Sequence, residues 1–303
     1  MSAIKKVAIF GASGNFGAPI TTALVKAGFE VTIITRPASS STFPDGIPVI
    51  RTDYTAEKLT AALFGQDAVV CVIGPAGVET QATMIDAAEA AGVRRFIVNH
   101  FGWGPGFRNL PEFDEIGAKR KVALERARQL SQSNSEFTWT SISIGNPIDW
   151  ALRRFPLMGF DVNQRSATIY DEGTEEFTGT TLAGIGQSVV GVLTHPAETA
   201  NRFVLARSIQ VCQNQLLDAF QRVTGQAWKV EHGSAKDLLG SGRKKHREGA
   251  GRWGLDLLVY QLYAPGEARC VLASKEDSDA GLLEIVEETP EEIARKAMGA
   301  VVE

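Results

Sequence analysis

Between residues 6 and about 145, short β-branched and aliphatic runs alternate with stretches whose apolar positions recur every three or four residues. Val7-Ala8-Ile9-Phe10 predicts a first strand. Ile20, Ala23, Leu24 and Ala27 then fall at i, i+3, i+4 and i+7, with Gly28 as a stop, and predict a helix packed on that strand. Val31 to Thr35, Val69-Val70-Cys71-Val72-Ile73 and Phe96-Ile97-Val98 read as further strands. The last two are apolar without interruption, as parallel strands covered on both faces must be. Met84, Ala87, Ala88 and Ala91 supply the helical stripe between them. A helix from Ile116 to Leu130 turns Ala123, Ala127 and Leu130 inward, and Phe137 to Ile144 forms the next strand. This alternation predicts an α/β protein with a doubly wound parallel sheet. After Asn146-Pro147 the rhythm is lost. We therefore expect two parts: residues 1–150, and a smaller α+β domain over 151–303 that is free to return strands to the first sheet.

Charge and cysteine content remove several classes of function. The formal charge of -4 offers no basic face for nucleic acid or an anionic membrane. Arg243-Lys-Lys-His-Arg247, the one marked charge run, reads as a solvated helix face. Cys71, Cys212 and Cys270 lack CxxC spacing, and His195, His232 and His246 lack ligand-like spacing, so neither disulfides nor a metal site is expected. There is no long apolar segment and no signal-peptide pattern, so the expected compartment is the cytoplasm.

The first predicted chemistry lies between the first strand and the first helix. Gly11-Ala-Ser-Gly14-Asn-Phe-Gly17 has GxxGxxG spacing in a strand–turn–helix context. Gly11 permits the turn, Gly14 lets backbone approach a pyrophosphate, and Gly17 lets helix and strand pack closely. The helix start offers free N–H groups to phosphate. Ser13, Asn15 and Phe16 belong to the same turn, and Asp53, Gly74 and Asn99, at later strand ends, join the cofactor-binding candidates. Strand two ends Ile34-Thr35-Arg36-Pro37. A guanidinium stands where an acid would accept the ribose 2′-hydroxyl of NAD, which favours NADP(H).

With these residues the chain resembles the NmrA-like and isoflavone-reductase-like branch of the atypical short-chain dehydrogenases, particularly fungal members. The resemblance extends through Gly92-Val-Arg-Arg-Phe-Ile-Val-Asn-His-Phe-Gly102, Phe137-Thr-Trp-Thr, Gly145-Asn-Pro-Ile-Asp-Trp150, Ile169-Tyr-Asp-Glu-Gly173 and Pro196-Ala-Glu-Thr-Ala-Asn201. It implies a Rossmann-like NADPH-binding domain, a smaller domain over the substrate cleft, and a catalytic lysine like that of the plant reductases. Their Phe-x-x-Lys pattern reads Phe113-Asp-Glu-Ile116 here, so isoleucine holds the lysine position. Extending the Ala123, Ala127, Leu130 stripe by one turn brings in Lys119 and Arg120, whereas Lys121 points roughly 140° from Ile116. Lys119 is therefore the catalytic candidate.

Asn99 and His100 end the fifth strand, where doubly wound sheets place ligands, and His100 is a second candidate for proton transfer. Tyr54-Thr-Ala-Glu-Lys58 mimics the YxxxK of ordinary short-chain dehydrogenases but follows the wrong strand, so it is set aside. Phe101, Trp103, Asn146, Trp150 and Tyr170 are the substrate candidates, together with Phe155 in the same aromatic fringe. The leading expectation is an NADPH-dependent reductase of a small hydrophobic metabolite. Two alternatives stay open: an isomerase or cyclase that retains NADP(H) without net redox, and a redox-sensing regulator of the NmrA type that binds a protein partner.

Overall fold

The computed structural model describes residues 3–299, so the outermost residues of both expected parts, 1–2 and 300–303, lie outside the described residues. In chain order the elements are β1 (Lys6–Phe10), α1 (Gly17–Lys26), β2 (Glu30–Thr35), β3 (Val49–Arg51), α2 (Ala56–Leu63), β4 (Ala68–Cys71), α3 (Gln81–Ala90), β5 (Arg95–Gly102), α4 (Asp114–Ser133) and β6 (Thr138–Ser143). They continue with α5 (Ile148–Leu152), β7 (Phe160–Asp161), β8 (Ser166–Tyr170), β9 (Phe177–Gly179), α6 (Leu182–Thr194), β10 (Arg202–Leu205), β11 (Ile209–Val211), α7 (Gln213–Thr224), β12 (Lys229–Gly233), α8 (Ala235–Arg247), α9 (Trp253–Tyr263) and α10 (Pro290–Ala297). Short 3-10 segments at Pro75–Thr80 and Pro111–Phe113 precede α3 and α4.

Seven strands form one sheet in the order β10-β6-β5-β4-β1-β2-β3, and every pairing in it is parallel. The order reverses between β1 and β4, and that reversal opens a crevice at the carboxyl ends of the strands. Alternate residues of the central strands feed two cores. Val7, Ile9, Val70 and Ile97 pack with Ile20 and Leu24 of α1 and with Ile185 and Val189 of α6. Ala8, Phe10, Val69 and Phe96 pack with α2, α3 and α4 on the other face.

The predicted strand over 69–73 stops at Cys71. Val72 N–H still donates to Phe10 O (3.1 Å), and its carbonyl oxygen closes over Gly11, where an added Cβ would lie only 2.3 Å away. The strand predicted at 96–98 instead runs on to Gly102. Its register with β6 shifts between Val98 and Gly102, so Asn99, His100 and Phe101 sit in an irregular stretch. Such bulges re-aim side chains and are common beside active sites.

β10 comes from the second half of the chain and completes the sheet beside β6. A third core, around Phe160, Phe177, Phe220 and Trp228, gathers the two small sheets, β12-β8-β7 and β11-β9, with α5, α7, α9 and α10.

One buried cation ties the amino end of β5 to β6 and to the segment between α6 and β10. Arg95 is 1% exposed. Its Nε donates to Thr138 Oγ1 (2.9 Å), its Nη1 to the hydroxyls of Thr140 (2.8 Å) and Thr199 (2.9 Å), and its Nη2 to the Pro196 carbonyl. Burial pulls its pKa down to about 10. Desolvating a guanidinium is costly, and here hydroxyl and carbonyl dipoles offset that cost. Arg95→Leu is expected to destabilise the protein by about 3 kcal/mol, since it strands several buried oxygens at once. Urea denaturation would check this, and a midpoint unchanged from the parent would refute it.

Candidate functional site: the cleft at the carboxyl edge of the sheet

The glycine-rich turn occupies the switch point. Gly14 N donates to Gly11 O at 2.9 Å, which closes the turn, and Gly11 has φ +82. A Cβ on Gly17 would stand 2.0 Å from Gly11 O. Only a residue without a side chain lets α1 approach this closely. Gly14 differs: its nearest neighbour is Gly11 O, at 3.2 Å from an added Cβ. Gly74, on the facing loop, has nothing within 4 Å. These two glycines border open space. Phe16 caps α1 without a side-chain hydrogen bond, so the helix start keeps backbone donors for an anion. The cradle fits a dinucleotide pyrophosphate.

Arg36 follows β2 and is exposed, and its charge acts on Tyr54. Ser13 Oγ donates to Ser41 Oγ (3.0 Å), tying the turn to the loop after β2. Arg51, not singled out in the sequence, pairs with Thr35 in the ladder and donates from Nη1 to Ser39 O at 2.7 Å. It puts a second guanidinium beside the same loop. Only strand register reveals this, because β3 is too short to show a pattern.

Asp53 is exposed and ion-paired with Lys58, while Tyr54 packs edge-on against Phe10. Both members of the set-aside YxxxK thus have local partners. Asn99 Nδ2 donates to Ile73 O at 2.8 Å, and its backbone N–H donates to Gln81 Oε1 at 2.7 Å, joining the ends of β4 and β5. Gln81, buried at the start of α3, carried no sequence signal.

Ile116, at the resembled lysine position, is 48% exposed on the first turn of α4. Lys119 lies one turn further on. Its Nζ reaches Glu79 Oε1 (3.5 Å), in the segment after Gly74, and Glu115 Oε1 (3.7 Å), with the side chain 52% exposed. It spans from α4 to the loop after β4.

The ring of His100 packs edge-on against Phe203, and its Nε2 lies 2.8 Å from the Trp103 carbonyl oxygen. A carbonyl only accepts, so Nε2 carries the proton and Nδ1 is bare in the neutral ring. Burial first, and then the charge of Arg120, lower its pKa; the Trp103 carbonyl opposes them. The neutral ring therefore spends its only N–H on holding the Trp103 loop, which limits it as a proton donor. A lowered histidine pKa means that the unfolded chain binds more protons than the folded one between the two values. Its contribution is full above the unfolded value and is lost as pH falls through the folded one. Stability is expected to fall faster in mild acid for the parent than for His100→Gln, as checked by urea midpoints across that range.

Of the substrate candidates, Phe101 packs on the core beneath α1 and α6, and Trp103 stacks on Phe107 with centroids 5.2 Å apart. Trp150 meets Phe16 edge-on at 6.1 Å and lies under the Arg154 guanidinium. This contact links the glycine turn to α5. Asn146 is buried, donates to Met158 Sδ, and leaves its Oδ1 without a partner. Tyr170 stacks on the buried Tyr263 and belongs to the wall of the third core, whereas Phe155 is exposed. His246 packs on Trp253, and the basic run has partners in Arg243–Glu112 and Lys245–Asp256. No cluster of three or more potential metal ligands occurs among the described residues, and none of their helices is long and apolar enough to cross a membrane.

The NAD(P)H-binding family model matches residues 11–178, which run from the glycine turn into β9. Oxidoreductase poxI of Penicillium oxalicum is 61% identical over 288 residues, covering 95% of this chain and 92% of its own length. The chain belongs to this NAD(P)H-binding family. Its fold is also that of the solved isoflavone reductase, with a TM-score of 0.76 at 18% identity over 97% of this chain and 99% of that one. Oxidoreductase aprR of Aspergillus flavus is 35% identical over 240 residues, covering 77% of this chain and 78% of its own. The leucoanthocyanidin reductase–NADPH complex from Vitis vinifera superposes with a TM-score of 0.78 at 20% identity, over 97% of this chain and 99% of that one. The family places the chain among oxidoreductases that use a nicotinamide cofactor.

Proposed function

We propose that the protein is an NADPH-dependent reductase of a small hydrophobic substrate. The observation that carries this reading is the cradle at Gly11–Gly17 with an uncapped helix start behind it and Arg36 beside it. The relatives' oxidoreductase names and the NADPH in the leucoanthocyanidin reductase complex support it. In this family fold, bound NADPH supplies the hydride. The chain's own residues do the rest. The α1 start holds the pyrophosphate, Arg36 with Arg51 behind it reads the 2′-phosphate, and Asn99 fixes the loop after β4. His100 positions the Trp103 loop through its Nε2–H.

Lys119 is the proton donor of this reading, because it reaches from α4 to the loop that follows Gly74. Lys119 would protonate the end of a carbon–carbon or carbon–oxygen double bond opposite the one that accepts the cofactor's hydride, and solvent would reprotonate its amine. The apolar fringe of Trp103, Phe107 and Trp150 selects a hydrophobic acceptor and keeps water from the reacting bond.

Loss of NADPH absorbance with a panel of enones and carbonyls tests the reading. Tight NADPH binding without oxidation across the panel would overturn it, and a product of unchanged mass would point to the isomerase alternative. Lys119→Met is expected to lower turnover by roughly a hundredfold or more, the scale of a lost general acid, with NADPH affinity intact.

A further inference from the structure

Beside the cleft, the loop after β5 and the segment after α9 enclose a recess of 380 Å³. The stacked Trp103 and Phe107, with Leu205 and Leu272, give it apolar walls. It opens at the carboxyl ends of β5 and β10, the edge of the sheet where the reacting groups lie. A Cβ on Gly104 would touch both Leu205 and Leu272, so bare backbone leaves room there. The Trp103 carbonyl, which accepts a hydrogen bond from His100 Nε2–H, ties the recess to the candidate site.

Its charge is unusual for a chain with a net charge of -4. Arg108 and Arg269 are the ionisable residues lining it, and no carboxylate lines it. Arg269 is paired with Glu267 and donates from Nη1 to the Arg108 carbonyl (2.8 Å), yet its buried Nε–H meets no acceptor among the described residues. Arg108 is exposed, donates to the Glu267 carbonyl at 3.4 Å, and has no carboxylate within ion-pair distance among those residues. One positive charge is left over. Flat aromatic walls beside surplus guanidinium suit a planar anion, because arginine pairs with carboxylate through directed N–H groups.

We propose that this recess binds the carboxylate-bearing end of a planar aromatic substrate, with Arg108 and Arg269 as its charge partners. The assignment rests on the reductase reading, since it supplies that reaction's substrate class. Titration of the full-length protein with 2-naphthoate, followed by tryptophan fluorescence and calorimetry, tests it against the neutral 2-naphthalenemethanol. Saturable naphthoate binding, about tenfold tighter than the alcohol, is expected. Arg108→Gln and Arg269→Gln should each lose about that factor while NADPH titrates as in the parent. Arg108 is on the surface, so its variant keeps the test valid if the Arg269 variant fails to fold.

Equal binding of acid and alcohol, naphthoate affinity indifferent to both substitutions, or no naphthoate binding in a protein that binds NADPH would each overturn the assignment. Failure of NADPH itself to bind is read in a separate titration. It would strike the reductase reading on which this one stands.

Discussion

Replacing Gly14 with aspartate is expected to leave a folded protein that no longer retains NADPH. Gly14 lies outside the left-handed backbone region, and an added Cβ would press only on Gly11 O, at 3.2 Å, a contact relieved by a shift of a few tenths of an ångström. The fold should therefore survive. The new carboxylate, however, would project where the pyrophosphate approaches backbone N–H groups at the α1 start. Each charge-assisted bond lost there is worth about 1.5–3 kcal/mol, so losing two weakens binding by at least about a hundredfold. Fluorescence titration with a parallel melting curve separates the two effects. Affinity within tenfold of the parent would show that the phosphates sit elsewhere. Gly17→Ala provides the contrast: its Cβ would stand 2.0 Å from Gly11 O, so it should damage the fold itself.

The second large effect concerns the choice between cofactors. Arg36→Asp replaces an exposed guanidinium at the end of β2 with a group that repels a 2′-phosphate and accepts a ribose 2′-hydroxyl. Preference for NADPH over NADH should disappear, a change of roughly ten- to a hundredfold, measured as the ratio of the two dissociation constants. Because Arg51 faces the same loop, a partial loss in Arg36→Ala and a complete one in the double variant Arg36→Ala, Arg51→Ala would divide the recognition between them. A ratio unmoved by any of these substitutions would place 2′-phosphate recognition outside this loop.

What could be read in the sequence was local. Strand β1, the glycine turn and α1 lie within residues 6–26, and their periodicity and glycine spacing reflect contacts only a few residues apart. That Lys119 lies one turn from Ile116 is likewise a matter of helical geometry, whereas its choice as the candidate proton donor rests on the resemblance that marks Ile116. Groups that depend on distant partners left no mark. Arg95 looks like an ordinary strand-end arginine until Thr199 and Pro196 arrive from a hundred residues away. Arg51 acquires its position from the β2–β3 register, and the recess at Arg108 exists only where residues 268–272 fold back on it. His100 was legible as a strand-end histidine, but not the direction of its N–H. The bulge between Val98 and Gly102 and the Trp103 carbonyl decide that.

The late return of β10 governs how the protein can assemble. During synthesis, β6 emerges with one edge bare, and its partner follows about sixty residues later. Until then the nascent chain presents open backbone amides of the kind that other chains capture. Release of the chain severed anywhere between β6 and β10 should therefore yield aggregates, whereas the two fragments, co-expressed, should find each other through that same vacant edge.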